Sequence, residues 1–293
     1  MSDQAYLFSY FKGDFPDAYL LWSDDGLSWH HCYGGEPFFH ASVGSQKIVR
    51  DPMITAGPDG VYHMSWTTGW EGKDIGYARS VDLVNWSKPR AIGLMEHEPR
   101  TLNCWAPEII YDPTTRRYVV FWSSTILGRF NETLNPHRKD RRNHRVYYTT
   151  TADFEQFDVP RLLIEPGFNC IDANIAPAKG RYVMFFKDET DWPVAAKNIR
   201  IAWADRPTGP WGEISQPISP PDCWTEGPTG ICIGGTWYVY FDKYKQGRYG
   251  AVCSNDLVNW SDCTERLTMP NDARHGSVLA VPPGVLENLL NSA

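Results

Sequence analysis

The sequence repeats itself, and the repeat restricts the possible folds more than any single motif does. Tyr19-Leu20-Leu21-Trp22-Ser23-Asp24-Asp25-Gly26-Leu27-Ser28-Trp29 is echoed by Ile75-Gly76-Tyr77-Ala78-Arg79-Ser80-Val81-Asp82-Leu83-Val84-Asn85-Trp86. Tyr249-Gly250-Ala251-Val252-Cys253-Ser254-Asn255-Asp256-Leu257-Val258-Asn259-Trp260 repeats it almost letter for letter, and weaker copies run from Val146 to Phe157 and from Ile199 to Asp205, the latter ending at Pro210-Trp211. Each copy reads as an alternating strand, an Asp-containing turn that can bond its own backbone, and an aromatic residue opening the next strand. Their spacing of roughly 50 to 70 residues is that of four-stranded propeller blades.

A second pattern lies between the copies. Five short motifs each open a strand that turns and returns aromatic-rich: Arg50-Asp51-Pro52, Cys104-Trp105-Ala106-Pro107-Glu108, Ile171-Asp172-Ala173-Asn174, Thr225-Glu226-Gly227-Pro228 and Arg274-His275-Gly276. Two interleaved five-fold patterns predict an all-β fold, a five-bladed β-propeller in one domain spanning residues 1–293, with the five motifs on the innermost strands. On this reading Asp51, Trp105, Asp172, Glu226 and His275 are equivalent positions at the channel mouth. Residues 1–49 would supply outer strands to the blade begun by the C-terminal segment, closing the ring and removing its open edge. Residues 126–145 read as a loop insertion, and Val285–Leu290 as a short helix.

Composition agrees with this architecture. Aromatic residues make up 14% of the chain, 24 glycines and 22 prolines supply turns, and no long run has apolar residues at helical spacing. A net charge of -7 argues against a nucleic-acid partner. The basic cluster His137–Arg145 is expected to be solvated surface, or else a lid presenting donors such as Arg145 or His144. Seven cysteines with no CxxC spacing suggest free, mostly buried thiols and a reducing compartment. With no apolar N-terminal leader and no stretch of membrane-spanning length, the expectation is a cytoplasmic protein without a membrane partner. Oligomeric state is not legible.

Three carboxylates reaching one mouth from three blades raise each other's pKa, a costly arrangement unless it serves acid/base chemistry. One protonated and one ionised carboxyl are what glycoside hydrolysis requires. The ordered set Arg50-Asp51-Pro52, Trp105-Ala106-Pro107-Glu108, Ile171-Asp172, Thr225-Glu226-Gly227-Pro228 and Arg274-His275-Gly276 resembles the family 43 glycoside hydrolases over nearly the whole chain. The resemblance implies a five-bladed propeller and an inverting mechanism on arabinofuranosides or β-xylosides. Asp51 would be the general base, Glu226 the general acid, and Asp172 the residue that orients the acid and tunes its pKa. Trp105, Trp70, Asn174, Lys187, Arg274 and His275 are candidate substrate-binding residues, Trp105 as a face for a sugar ring, while Glu108 is expected to tie blades together.

Some members of that family hold a channel calcium near a histidine matching His275. One histidine makes a poor site for a hard cation, so no cofactor is expected to be required and a structural calcium at His275 is the one metal candidate. The reading is thus an exo-acting glycosidase that removes terminal arabinofuranosyl, xylosyl or similar furanosyl units from plant-type oligosaccharides. Three alternatives stay open: a carbohydrate-binding propeller without turnover, a protein-interaction propeller, and a retaining fructan-type hydrolase. The last also uses Arg-Asp-Pro, but pairs it with Glu-Cys and an upstream Asn-Asp-Pro that do not occur here in the right place.

Overall fold

The structure is a computed structural model describing residues 4–13 and 16–292. Its strands form five sheets around a channel. Blade I comprises Arg50–Ala56, Tyr62–Thr67, Ile75–Ser80 and Arg90–Ile92; blade II comprises Trp105–Asp112, Arg117–Ser124, Arg145–Thr151 and Arg161–Ile164. Blade III has only Cys170–Ala178, Arg181–Asp188 and Asn198–Ala204, and blade IV comprises Glu226–Ile233, Thr236–Lys243, Arg248–Ser254 and Ser261–Asp262. In blade V the C-terminal strand Ala273–Val281 is innermost, and the N-terminal strands Ala5–Lys12, Ala18–Ser23 and His30–His31 add to it outward. First and last segments thereby close the ring with main-chain hydrogen bonds rather than leaving an edge.

Strand alternation explains how the blades stack. Tyr6, Phe8 and Tyr10 face blade IV, where they meet Tyr238, Tyr240 and Tyr249; Ala5 and Leu7 on the same strand face blade I and meet Met64 and Trp66. Val119 and Phe121 face blade III while Val120 and Trp122 face blade I. Each of the five apolar clusters is therefore shared by two neighbouring blades, so most strands that build the core are apolar on both faces. Helix α1, Pro283–Asn291, buries Leu286 and Leu289 against blades V and I.

The repeated turn owes its regularity to local chemistry. In four copies the Oδ1 of Asp25, Asp82, Asp153 or Asp256 accepts main-chain N–H groups two and three residues on, at 2.7 to 3.0 Å. A hydroxyl two residues earlier (Ser23, Ser80, Thr151 or Ser254) accepts others. The copy in blade III has Trp203 at that hydroxyl position, and this is the blade that departs from the expected four strands. Its edge strand is followed by a proline-rich segment, Arg206–Pro221, in which missing N–H groups preclude a continuous ladder. That segment still covers the edge through single bonds from the amides of Gly212, Ser215 and Ile218 to Trp203, Ile201 and Ile199.

Candidate active site

All five innermost strands carry a register shift at the same place, where two residues lie opposite one on the second strand. The doubled residues are Asp51-Pro52, Ala106-Pro107, Asp172-Ala173, Gly227-Pro228 and His275-Gly276. In four of the strands the first of the two adopts a left-handed backbone: φ is 50° at Asp51, 45° at Ala106, 56° at Asp172 and 57° at Gly227. Such a bulge re-aims the side chain, and Asp tolerates this backbone better than most residues do. The expected equivalence of five mouth residues is corrected here. Asp51, Asp172 and His275 share one position, but Trp105 and Glu226 sit one residue earlier, level with Arg50, Ile171 and Arg274.

This offset assembles the site. His275 Nδ1 lies 3.2 Å from Asp51 Oδ1 and 3.9 Å from Asp172 Oδ2, bridging two blades. The other Asp51 oxygen accepts the Thr67 hydroxyl at 2.7 Å. Asp172 Oδ2 accepts the main-chain N–H of Gly227 at 3.1 Å, so it grips the residue directly after Glu226, while its own N–H is held by Ser123 Oγ. Glu226 Oε2 lies 3.1 Å from the Nζ of Lys187, a lysine with almost no exposure. Lys187 also contacts Glu189 at 2.6 Å, and Glu189 contacts Lys197 at 2.6 Å.

These contacts set the ionisation of the site. Burial pushes Asp51 up, but the His275 charge and hydrogen bond, with Arg50 and Thr67, more than offset it and hold its carboxyl below the usual range. Asp172 goes the other way: burial, helped by Glu226 and Asp51, raises it to about 6 against the opposing charges of His275 and Lys187. For His275, burial favours the neutral ring, but Asp51 and Asp172 outweigh it and raise the imidazole to about 10. Lys187 is likewise held charged despite burial by Glu226, Glu189 and Asp172. The mouth thus combines an ionised carboxylate at Asp51 with a partly protonated carboxyl at Asp172.

A cationic imidazole whose Nδ1 already faces Asp51 does not fit a calcium ligand. Among the described residues, no group of three or more His, Cys, Asp or Glu side chains could hold a metal ion.

The remaining candidates separate by their contacts. Trp70 is 47% exposed at the mouth, with the Arg50 guanidinium 4.4 Å from its ring centre. Trp105 is half-buried, and its ring is engaged by Arg142 at 4.4 Å and by His144 at 4.9 Å, so it offers less open face than expected. Asn174 is spent on structure: its Nδ2 donates to Glu108 Oε2 at 2.8 Å and its Oδ1 accepts from Gly230 N at 2.9 Å. Glu108, buried beside it, is raised to about 8 by burial. Arg274 donates to the carbonyls of Asn271 and Ala273 at the rim.

The basic insertion is only partly the solvated face expected of a charge run: His137, Lys139, Asp140 and Arg141 are exposed, while the rest is drawn inward. Asn143, His144 and Arg145 are buried, Arg145 pairing with Glu165 at 2.7 Å. Arg138 reaches Asp191 at 3.3 Å and Glu189 at 3.8 Å on blade III, and Arg142 donates to the Trp70 carbonyl. The insertion is a wall joined to the charge network behind Glu226.

Thr67, Ser123, Glu189, Asp242 opposite Glu226, and Tyr244, whose ring centre lies 4.8 Å from Lys187 Nζ, belong to the site but were not singled out from sequence. The signal was present. In four blades the aromatic second strand ends in a polar pair, Thr67-Thr68, Ser123-Ser124, Lys187-Asp188 and Asp242-Lys243, where apolar alternation breaks off. The first residue of each pair lies opposite the inner-strand residue just before the bulge.

Comparison with known proteins agrees with this fold. Residues 2–284 match the family described as a probable glycosyl hydrolase domain, related to family 43. An α-L-arabinofuranosidase of Bifidobacterium longum is 27% identical over 174 residues, covering 53% of this chain but only 16% of that protein. An α-L-arabinofuranosidase structure from Lactobacillus brevis superposes with a TM-score of 0.59 at 18% identity, covering 74% of this chain and 72% of that one. A family 43 protein of Bacillus licheniformis gives 0.55 at 20% identity, over 73% and 41%. At these identities the structural matches establish the propeller fold. The match over residues 2–284 places the chain in the family described as a probable glycosyl hydrolase domain, related to family 43, and the chain spans only a small part of the length of the curated relative it matches.

Proposed function

We propose that the protein is an inverting exo-glycosidase that releases a terminal arabinofuranosyl, xylosyl or similar furanosyl unit from an oligosaccharide, without a metal. Asp51, kept ionised by His275, takes a proton from a water molecule as that water attacks the anomeric carbon. Glu226 gives its proton to the glycosidic oxygen as the bond from the anomeric carbon breaks, so one proton enters the site and one leaves it with the alcohol. Asp172 orients the acid through the Gly227 amide. Arabinofuranosidase activity in the B. longum and L. brevis relatives favours the furanosyl substrate.

The observation that carries the reading is the single chain of contacts Asp51–His275–Asp172–Gly227, which ties the base position to the acid position across four blades. The test is a panel of aryl glycosides of arabinofuranose, xylose and galactofuranose, assayed with the wild type and Glu226→Ala. Removing the acid should lower kcat by about 10² to 10⁴ on leaving groups that need a proton, and much less on strongly acidic phenols. Equal turnover by the variant on every substrate refutes the assignment of the acid.

A further inference from the structure

Glu226 has a flank to which the reaction assigns no role. Lys187, whose Nζ lies 3.1 Å from Glu226, also lies 4.8 Å from the centre of the Tyr244 ring. Tyr244 and Lys245 are the middle residues of a tight turn in blade IV, closed by the Gln246 N–H donating to the Lys243 carbonyl at 2.7 Å. Asp242, just before the turn, is paired with Glu226 across the sheet, so the turn stands at the mouth and not at the far end of the blade. Trp224, two residues before Glu226, is 40% exposed and has its ring centre 6.3 Å from that of Tyr244. Lys245 is exposed as well, with Nζ 5.3 Å from the Trp224 ring centre and 5.9 Å from that of Tyr244.

The charges on this flank are not balanced from within. Lys197, 5.9 Å from the Trp224 ring centre, is matched by Glu189, and Arg248 by Glu265 at 3.8 Å. Among the described residues no carboxylate pairs with Lys245 or with Arg274, whose Nη2 would lie 3.7 Å from a Cβ added at Gly247 in the same loop. In a chain of net charge -7, this edge of the mouth is locally cationic. An open indole face takes the C–H face of a sugar ring, and an unmatched ammonium beside it takes a carboxylate. We propose that Trp224, Tyr244 and Lys245 form the leaving-group subsite and that it takes a uronic acid, whose ring stacks on Trp224 while its carboxylate pairs with Lys245. This rests on the functional reading above, since Glu226 protonates the oxygen with which the leaving sugar departs and so has that sugar beside it.

The test is a pair of disaccharides carrying the terminal unit of the best aryl glycoside, linked in one to glucuronic acid and in the other to its methyl ester. Wild-type kcat/KM should be about threefold to tenfold higher on the acid at low salt, with the difference in KM, and the gap should close in high salt. Lys245→Met keeps the stem and removes the charge, so the ratio of the two substrates should fall to about one. Trp224→Ala should raise KM for both. A fault in folding would lower both rates and leave the ratio alone. A wild-type ratio of about one, or a preference for the acid that survives in Lys245→Met, overturns the proposal. Saturation-transfer NMR with free glucuronate and glucose needs no turnover. Glucuronate should bind the wild type more tightly than glucose and lose that advantage in Lys245→Met. Binding no stronger than that of glucose, undetectable binding included, overturns the subsite. A wild type that cleaves no glycoside but keeps this preference for glucuronate would sink the functional reading and leave the uronic acid site standing.

Discussion

Gly227 is the residue through which the geometry of the site can be perturbed most cleanly. It follows Glu226, donates its N–H to Asp172, and has φ 57°. A Cβ added there would overlap His275 Cγ and lie 2.5 Å from Cδ2, closer than non-bonded carbons can approach. Gly234, in the hairpin of the same blade, has the same φ of 57° but nothing within 4 Å of an added Cβ. Gly234→Ala thus reports the left-handed backbone penalty alone, about 1 to 2 kcal/mol. Gly227→Ala adds overpacking of about 1 to 3 kcal/mol, for a total of about 2 to 5. At roughly 2 to 4 °C of Tm per kcal/mol, the first variant should melt about 2 to 8 °C below wild type and the second several degrees lower still. Function should separate them further, because the imidazole displaced by the methyl group added at position 227 is the one that holds Asp51 and Asp172. Calorimetry with kinetics on an aryl glycoside should find Gly234→Ala at wild-type kcat/KM and Gly227→Ala down by about tenfold to a hundredfold. Equal Tm and equal kinetics in the two variants would show that His275 does not pack against Gly227.

Two further expectations follow from the buried charges. Glu108 keeps its proton to about pH 8 in the folded chain but releases it near its ordinary value when unfolded. Over the intervening pH range the unfolded state binds fewer protons, so stability falls as pH rises, by up to about 1.4 kcal/mol per unit for this one group. Glu108→Gln can still accept from Asn174; urea titrations should find this fall shallower between about pH 5 and 8, and an unchanged slope would mean Glu108 ionises normally. Lys187→Met strips the cation from Glu226 and leaves Glu189 with Lys197 and the more distant Arg138; removing one partner of a buried pair costs about 3 to 5 kcal/mol. A loss below about 1 kcal/mol would mean the network is solvated.

How much of this was legible depended on whether the chemistry was local. The turn copies could be read because each is self-contained: Ser80, Asp82 and Trp86 bond their own neighbouring backbone, so the pattern survives in the letters. Asp51, Asp172 and Glu226 could be read as a set because they open strands at a regular interval. The one-residue offset of Glu226 and Trp105 could not, because a bulge is a relation between two strands and only the inner one carries the motif. Asp242 and Thr67 escaped notice for the same reason, being ordinary polar ends of apolar strands until pairing sets them opposite the bulge. The insertion misled in part because two of its arginines also find partners outside it, Arg138 at Asp191 besides Asp140, and Arg145 at Glu165. Blade III lost its fourth strand to the prolines between Arg206 and Pro221, whose missing N–H groups were visible but whose covering bonds were not.

The central claim is that Asp51 activates water for a single displacement with Glu226 as the acid. Proton NMR of the first-formed sugar tests it most directly, using the best aryl glycoside from the panel and reading anomeric signals before mutarotation. The product should first appear with the anomeric configuration opposite to that of the substrate, so an α-arabinofuranoside yields the β-sugar. Release of the sugar with its original configuration would contradict the claim, since retention needs a covalent intermediate and a nucleophile that Asp51, as a base, does not provide.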